Sequence, residues 1–162
     1  MKLHFEENLI MAEPRLLDDQ LCVAVYNANK RFNRFYMETL KPYNLTFPQY
    51  IALCALWEND KQTVNEIGEK LSLDSGTLTP LLRRLEQNGW VKRTRSKSDE
   101  RQVIVRLSTK AKEQRDEIYQ HVTDCQDLLA YDDVTYADSR SAVKDLSNRL
   151  ASVDEHDLSS LA

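Results

Sequence analysis

Residues 73–107, LDSGTLTPLLRRLEQNGWVKRTRSKSDERQVIVRL, decide the fold of this chain. Gly89 stands where a helix end favours a residue that tolerates positive φ, and VKRTR and QVIVRL alternate as two half-buried strands do. The stretch therefore predicts a helix followed at once by a basic β-hairpin, with residues 96–101 as the polar tip. Before the glycine, four leucines have the i, i+3, i+4, i+7 spacing that buries one face of a helix: Leu78, Leu81, Leu82 and Leu85.

The opposite face of this helix is polar and basic, and such a face suits a DNA major groove. The charge distribution agrees: the whole chain has a net charge of −4, but residues 75–115 carry +7, against −3 before them and −8 after them. A basic patch on the recognition helix and hairpin is the footprint of a DNA-facing surface. A solvated basic face without a partner is the alternative that charge alone leaves open. The polar side chains predicted to face solvent are Thr77, Thr79, Arg83 and Arg84.

Length and composition predict one folded, mainly helical domain. The 162 residues are 41% hydrophobic, with only three glycines and four prolines. No apolar run approaches the roughly 18 residues of a membrane span, and residues 1–14 lack the features of a signal peptide. We therefore expect an N-terminal arm over residues 1–14, a cytoplasmic location and no membrane partner.

The first long helical pattern runs from Arg15 to about Lys41 and is stopped by Pro42. Cys22, Tyr26 and Tyr36 lie within roughly 40° of one line along it, at about 100° per residue. Fourteen residues at about 1.5 Å rise nevertheless separate Tyr36 from Cys22 by roughly 21 Å. Only a second copy of the helix can bring this tyrosine and the thiol together.

Two capping boxes begin the next helices, at Thr46-Phe47-Pro48-Gln49 and Thr63-Val64-Asn65-Glu66. Cys54 lies within the apolar helix after the first box, where a small buried thiol is expected. Ser75 or Thr77 is predicted to cap the recognition helix, and Pro80 is acceptable only if that helix starts close before it. Residues 43–108 thus form a winged helix-turn-helix: a mainly α fold with a small β-wing.

The C-terminal third predicts two amphipathic helices, from Thr109 to about Ala130 and from Asp133 to about Val153. The small winged region cannot cover their apolar faces together with that of the first helix. We therefore expect residues 15–42 and 109–162 to be dimerisation helices of a homodimer.

The chain resembles the MarR family of bacterial transcription regulators. The resemblance rests on LDSGTLTPLLRRLEQNGWVKRTRSKSDERQV, in which Asp99-Glu100-Arg101 matches the D-x-R signature of the wing. Within the family, QLCVAVY, LTFPQYIALCALWE and LDSGTLTPLL are similar to the OhrR-type subgroup, which senses organic hydroperoxides through one cysteine. The resemblance is good over residues 16–115 and weak over the C-terminal helices.

For DNA binding, the resemblance implies that Arg101 enters the minor groove and that Asp99 orients it by a charge-assisted pair. It implies contacts from the start of the recognition helix, at Ser75, Gly76 and Thr77, with phosphates and base edges. Arg93 and Arg95 at the base of the wing are expected to contact phosphate. The partner so implied is double-stranded DNA with a palindromic operator, read by the two halves of a dimer.

For sensing, the resemblance implies that Cys22 is the peroxide-reactive thiol and that Tyr26 and the partner copy's Tyr36 hydrogen-bond it. Phe47 stands where many of these sensors have a third tyrosine, so one donor to a thiolate is missing. Cys125 is the candidate resolving thiol. The pattern alone also allows an inert, packed Cys22 and an incidental Cys125.

The function that this resemblance implies is a redox-responsive DNA-binding regulator, expected to be a repressor that leaves its operator when Cys22 is oxidised by an organic hydroperoxide. One alternative is a regulator of the same family released by a small aromatic ligand, without a thiol switch. A thiol peroxidase that uses Cys22 and Cys125 is a further alternative. The sequence predicts no cofactor and no metal, because His121 and Cys125 are only two potential ligands.

Overall fold

The computed structural model describes residues 16–96, 99, 101–154 and 159. The predicted N-terminal arm, Arg15 and the wing-tip residues Lys97, Ser98 and Glu100 lie outside the described residues. The described part of the chain forms seven α-helices and three short strands. They are α1 (Leu21–Leu40), α2 (Phe47–Glu58), β1 (Gln62–Thr63), α3 (Val64–Leu71), α4 (Ser75–Gln87), β2 (Val91–Arg95), β3 (Val103–Leu107), α5 (Thr109–Glu113), α6 (Arg115–Asp127) and α7 (Asp133–Ala151).

The chain divides into two compact units, residues 1–115 and residues 116–162. The first unit contains the winged helix, whose core is made by α2, α3, α4 and the sheet. Its apolar centre includes the four predicted leucines of α4, all buried, together with Leu53, Leu56, Ile67 and Trp90. In the second unit Ile118 and Val122 of α6 are buried, whereas no residue of α7, which is described throughout, is buried.

Both predicted capping boxes are present. Thr46 and Gln49 exchange backbone and side-chain hydrogen bonds at the start of α2, and Thr63 and Glu66 do the same at the start of α3. The turn between α3 and α4 is tight, because the Leu73 N–H donates to the Gly68 carbonyl at 2.9 Å. A Cβ on Gly68 would lie 3.0 Å from the Leu73 carbonyl oxygen, so a side chain there would push the turn outward by a few tenths of an ångström.

The predicted hairpin is confirmed, and a third strand joins it. Strands β2 and β3 pair antiparallel with Val91 opposite Leu107 and Arg95 opposite Val103. Strand β1 pairs with the other edge of β3, with Gln62 opposite Val105, so the order in the sheet is β1-β3-β2. Gly89 has the expected positive φ, at 74°. With only two residues, β1 is too short for an alternating pattern to reveal it.

Several predicted helix boundaries were wrong. The first helix begins at Leu21, after a separate 3-10 turn at Leu17–Asp19, and not at Arg15. The single helix predicted from Thr109 to Ala130 is interrupted at Gln114 and ends at Asp127. No glycine or proline marks this break in the sequence.

The recognition helix also starts differently from the prediction. Its N-cap is Asp74, and neither Ser75 nor Thr77 caps it. Pro80 is its sixth residue, beyond the first turn where proline is best tolerated. Pro80 is exposed, so its ring lies on the solvent side of the helix and does not disturb the packing of the leucines. Cys54, predicted to be buried, is only half-buried.

Among the described residues no helix is long and apolar enough to span a lipid bilayer.

Candidate nucleic-acid interface and thiol site

The recognition helix α4 presents a polar face whose side chains point in three directions. At about 100° per residue, Gly76, Pro80 and Arg83 lie opposite the buried leucines, and Thr79 and Arg84 lie at the two edges of the face. Thr79 lines a groove shared with the wing, whereas Arg84 lines a cleft on the other side, formed with α1 and α2. Every α4 residue predicted to bind DNA is exposed: Ser75, Gly76, Thr77, Thr79, Arg83 and Arg84.

The N-terminus of α4 is fixed by Asp74. Its carboxylate accepts the Thr77 backbone N–H and the Thr77 hydroxyl, both at 2.9 Å. The pKa of Asp74 lies below its usual value because these two hydrogen bonds stabilise the charged carboxylate. The Thr77 hydroxyl, predicted to contact DNA, is therefore already a donor to the cap. Its remaining acceptor capacity can meet a donor on a base edge but not a phosphate, whose oxygens only accept.

A carboxylate at the end of α4 joins the recognition helix to the wing. Glu86 Oε1 accepts the Arg93 backbone N–H at 3.0 Å, and Oε2 lies 2.8 Å from Arg93 Nε and 2.7 Å from Nη2. The Arg93 side chain lowers the pKa of Glu86 by hydrogen bonding to its charged form. Arg93 thus has a partner within the protein, and its predicted contact with phosphate stays a prediction. Arg95, two residues along β2, is exposed.

The wing tip is shaped by local hydrogen bonds. The Asp99 carboxylate accepts the Arg101 backbone N–H at 3.0 Å, and the Asp99 N–H donates to the Ser96 hydroxyl at 3.4 Å. Asp99 therefore holds the main chain that carries Arg101, whereas the prediction paired it with the guanidinium. Arg101 is exposed, as a residue that enters a groove must be.

A groove of about 240 Å³ separates the recognition helix from the wing. It is lined by Thr79 of α4 and by Arg93, Arg101 and Gln102 of the wing, with Asn65 of α3 at its edge. The prediction included Thr79 and both arginines but missed Gln102, Asn65 and Glu86, the partner of Arg93. Their chemistry gave no signal, because isolated amides and one glutamate within a basic stretch are typical of any solvated surface.

The candidate sensor thiol lies in the first turn of α1. Cys22 is exposed, and its thiol donates to Gln20 Oε1 at 3.5 Å. Tyr26, one turn later, is 65% exposed. Tyr36 lies on the same continuous helix, fourteen residues beyond Cys22, or roughly 21 Å at about 1.5 Å per residue. Within one chain, the structure therefore places Tyr26 near the thiol and leaves Tyr36 far from it.

Tyr36 is instead buried in an aromatic cluster between α1 and α2, with only 6% of its surface exposed. The Phe47 and Phe32 ring centroids lie 4.5 Å and 4.7 Å from that of Tyr36 and 5.4 Å from each other, so the three rings pack together. Phe47 stands where related sensors are expected to have a third tyrosine, so the missing hydroxyl adjoins one of the proposed thiol partners.

The exposed half of α1 carries an apolar stripe. Leu21 is 59% exposed, Val25 40% and Phe32 47%, and Leu17 in the preceding turn is also exposed. Apolar side chains of α7 are exposed as well, including Val134, Val143 and Leu150.

The second thiol has an imidazole neighbour. Cys125 Sγ lies 3.9 Å from His121 Nε2 on α6, and both residues are half-buried. In the parts of the chain that the structure describes, no group of three or more His, Cys, Asp or Glu residues is arranged to hold a metal ion.

Comparison with known proteins adds to this geometry. The family model for the transcriptional regulator SarA/Rot matches residues 34–118, more than half of the chain. The regulator TtmR of Methylorubrum extorquens is 52% identical over 100 residues, which are 62% of this chain and 51% of TtmR. The organic hydroperoxide resistance transcriptional regulator of Bacillus subtilis is 47% identical over 92 residues, 57% of this chain and 63% of that protein. The chain thus spans only about half to two thirds of these relatives.

Among solved structures, reduced AbfR bound to DNA has a TM-score of 0.74 and 38% identity, and the match covers 83% of this chain and 92% of AbfR. AbfR, which comes from Staphylococcus epidermidis, has also been solved overoxidised on DNA and in a disulfide form.

The three-helix core, the exposed recognition helix and the basic wing together define a winged-helix DNA-binding regulator of the MarR type. The chain belongs to the SarA/Rot family of transcriptional regulators. The winged helix-turn-helix that the sequence predicted is thereby confirmed, and the relatives reported above are regulators and not enzymes.

Proposed function

We propose that this regulator is a homodimeric repressor that leaves a palindromic operator when Cys22 is oxidised by an organic hydroperoxide. The observation that carries the proposal is an exposed thiol in the first turn of α1, at the border of an exposed apolar stripe. A relative named for organic hydroperoxide resistance and a structural neighbour solved in reduced, overoxidised and disulfide forms support the same chemistry.

Two features support the homodimer: the uncovered apolar side chains, and the distance between Tyr36 and Cys22 within one chain. The stripe on α1 and the exposed apolar residues of α7 need a partner surface, and a second copy supplies one of equal length. In such a dimer the partner's Tyr36 and the chain's own Tyr26 donate hydrogen bonds to Cys22. Residues 15–42 and 109–162 are then the dimerisation segments, and residues 43–108 carry the DNA-reading surface.

On DNA, we assign Arg83 and the N-terminal residues Ser75, Gly76 and Thr77 to the major groove. Arg101 enters the minor groove from the wing tip, and Arg95 contacts phosphate. Thr79 and Arg84, at the edges of the helix face, take peripheral contacts.

The sensing step is a two-electron oxidation. The Cys22 thiolate attacks the outer oxygen of the hydroperoxide, the O–O bond breaks, and the alkoxide that leaves takes up a proton to become the alcohol. Cys22 becomes a sulfenic acid, while the peroxide is reduced. A second thiol then attacks this sulfur, forming a disulfide and releasing water. Cys125 is the candidate within the dimer, and a small external thiol is the other source.

The test combines covalent and DNA-binding measurements. Wild type, Cys22→Ser and Cys125→Ser receive one equivalent of cumene hydroperoxide and are followed by intact mass, a non-reducing gel and operator binding. We expect wild type to lose DNA affinity reversibly, and Cys22→Ser to bind DNA as well as reduced wild type without responding. A Cys22→Ser protein still released by the peroxide would overturn the proposal.

The same samples separate the remaining possibilities. A covalent dimer that needs both cysteines assigns Cys125 as the resolving thiol, whereas a Cys22-dependent adduct without a crosslink assigns an external thiol. DNA binding that ignores the oxidant but responds to a small aromatic acid indicates the ligand-controlled alternative. Steady consumption of peroxide with a thiol reductant indicates a peroxidase.

A further inference from the structure

One carboxylate of the recognition helix binds both the main chain and a side chain of the wing. Glu86 lies in the last turn of α4 and Arg93 in the middle of β2, seven residues later. One carboxylate oxygen of Glu86 accepts the main-chain N–H of Arg93, and the other lies beside two nitrogens of the Arg93 guanidinium. Three contacts to one carboxylate fix both a strand and its side chain, which a single ion pair does not do.

Arg93 is also tied to the rigid part of the sheet. It pairs with Val105 of β3, and Val105 is fully buried and pairs with Gln62 of β1. Of the residues described between Arg95 and Val103, none belongs to a strand. Arg93 therefore connects the sheet to the recognition helix through its contact with Glu86.

We propose that Glu86 is a positioning residue for DNA recognition, which holds the wing at a fixed angle to the recognition helix through Arg93. In this role Arg93 acts through Glu86. The inference rests on the DNA-reading surface proposed above, because the angle matters only if α4 and Arg101 bind the same duplex. Thr79 of α4 and Arg101 of the wing both line one groove, so a rotation of the wing relative to α4 changes the distance between the two residues.

Because Glu86 is negatively charged, the proposal can be tested by whether its removal weakens or strengthens DNA binding. A carboxylate on a DNA-facing surface repels phosphate, so its removal should strengthen binding if it has no other role. If it positions the wing, its removal weakens binding despite the more favourable charge. Glu86→Gln removes the charge and keeps the shape. Arg93→Lys keeps the charge and loses the two-nitrogen contact, since an ammonium is a single point donor.

The experiment measures DNA affinity by fluorescence anisotropy over a range of salt concentrations. The probe is a duplex of about 30 base pairs, long enough for two half-sites, selected by wild type from a randomised pool. A shuffled duplex measures non-specific binding. The proteins are wild type, Glu86→Gln, Arg93→Lys, the double variant, and Arg95→Ala as a matched control on the same strand.

We expect Glu86→Gln and Arg93→Lys each to weaken binding to the selected duplex by about fivefold, as fits a partly exposed charge-assisted contact. The double variant should lose no more than either single variant, because both remove the same link. The salt dependence should stay that of wild type. Arg95→Ala should instead flatten the salt dependence by about one counterion.

Three results would overturn the inference: tighter binding by Glu86→Gln, wild-type affinity in Arg93→Lys, or losses that add in the double variant. The unfolding midpoint of each variant is measured in parallel, and binding is compared at a temperature where all are folded. If wild type selects no duplex, the DNA-reading surface fails and this inference fails with it. If wild type and Arg95→Ala behave as expected and the Glu86 and Arg93 variants do not, only this inference fails.

Discussion

Replacing Leu21 by serine should weaken the proposed homodimer. Full burial of a leucine side chain is worth about 1.5–3 kcal/mol. Leu21 is 59% exposed, so burying this exposed part in a dimer interface contributes about 1–2 kcal/mol in each protomer. A twofold interface uses the residue twice, which gives about 2–4 kcal/mol for the dimer. Because 1.4 kcal/mol is a factor of ten in Kd, the dissociation constant should rise by about 30-fold or more.

Sedimentation velocity over a wide range of protein concentrations measures this change, in reducing buffer so that no disulfide holds the dimer. Lys30→Ser is the matched control, because Lys30 is exposed on the side of α1 opposite Leu21, about 180° away at 100° per residue. A dimer that Leu21→Ser leaves intact, or that both variants weaken equally, would refute the reasoning. The α1 stripe would then not be the contact surface.

Two further changes test the sensor and the core. Phe47→Tyr adds a hydroxyl beside Tyr36. Because a hydrogen bond to a charged group is worth about 1.5–3 kcal/mol, Cys22 should react with hydroperoxide about tenfold faster in stopped-flow measurements. An unchanged rate would place residue 47 outside the thiol environment. Asp60 accepts the Leu107 N–H at 2.8 Å and pairs with Lys112, so Asp60→Asn should lower the free energy of unfolding at pH 7 by about 1–3 kcal/mol. Partial burial raises the pKa of Asp60, but the hydrogen bonds lower it by more, so the pKa in the folded protein lies below its usual value. The stability that ionised Asp60 contributes is therefore present above about pH 4 and is lost as pH falls through the folded pKa. In urea denaturation, Asp60→Asn should lose less stability on acidification than wild type.

Local patterns in the sequence predicted most of the winged helix. The leucine spacing of α4, the two Thr-led capping boxes and Gly89 are all signals contained within eight residues or fewer, and the structure has each of them. The cap of α4 was missed because Asp74, Ser75 and Thr77 are all good capping residues, and only the backbone conformation selects among them. Asp74 is extended, with φ −69° and ψ 160°, which allows its side chain to reach the Thr77 N–H.

The parts of the candidate site that were missed depend on contacts between elements. Glu86 and Arg93 lie on a helix and a strand joined by a turn, so no helical or strand period relates them. Burial of Tyr36 likewise depends on Phe47, which comes from the next helix. The separation of Cys22 and Tyr36 could be predicted, by contrast, because one continuous helix fixes it.

Helix α1 belongs to two environments, and this limits how oxidation can act on DNA binding in the proposed redox switch. Its first half is exposed and carries Cys22, whereas its last turns are buried at Tyr36, Thr39 and Leu40 and pack on α2. Helix α2 in turn packs against α3, α4 and β3, which are held together by fully buried side chains. Packed cores shift as units and do not deform continuously. We therefore expect a change at Cys22 to move whole winged units apart or together, altering the spacing of two recognition helices while leaving the shape of each unchanged.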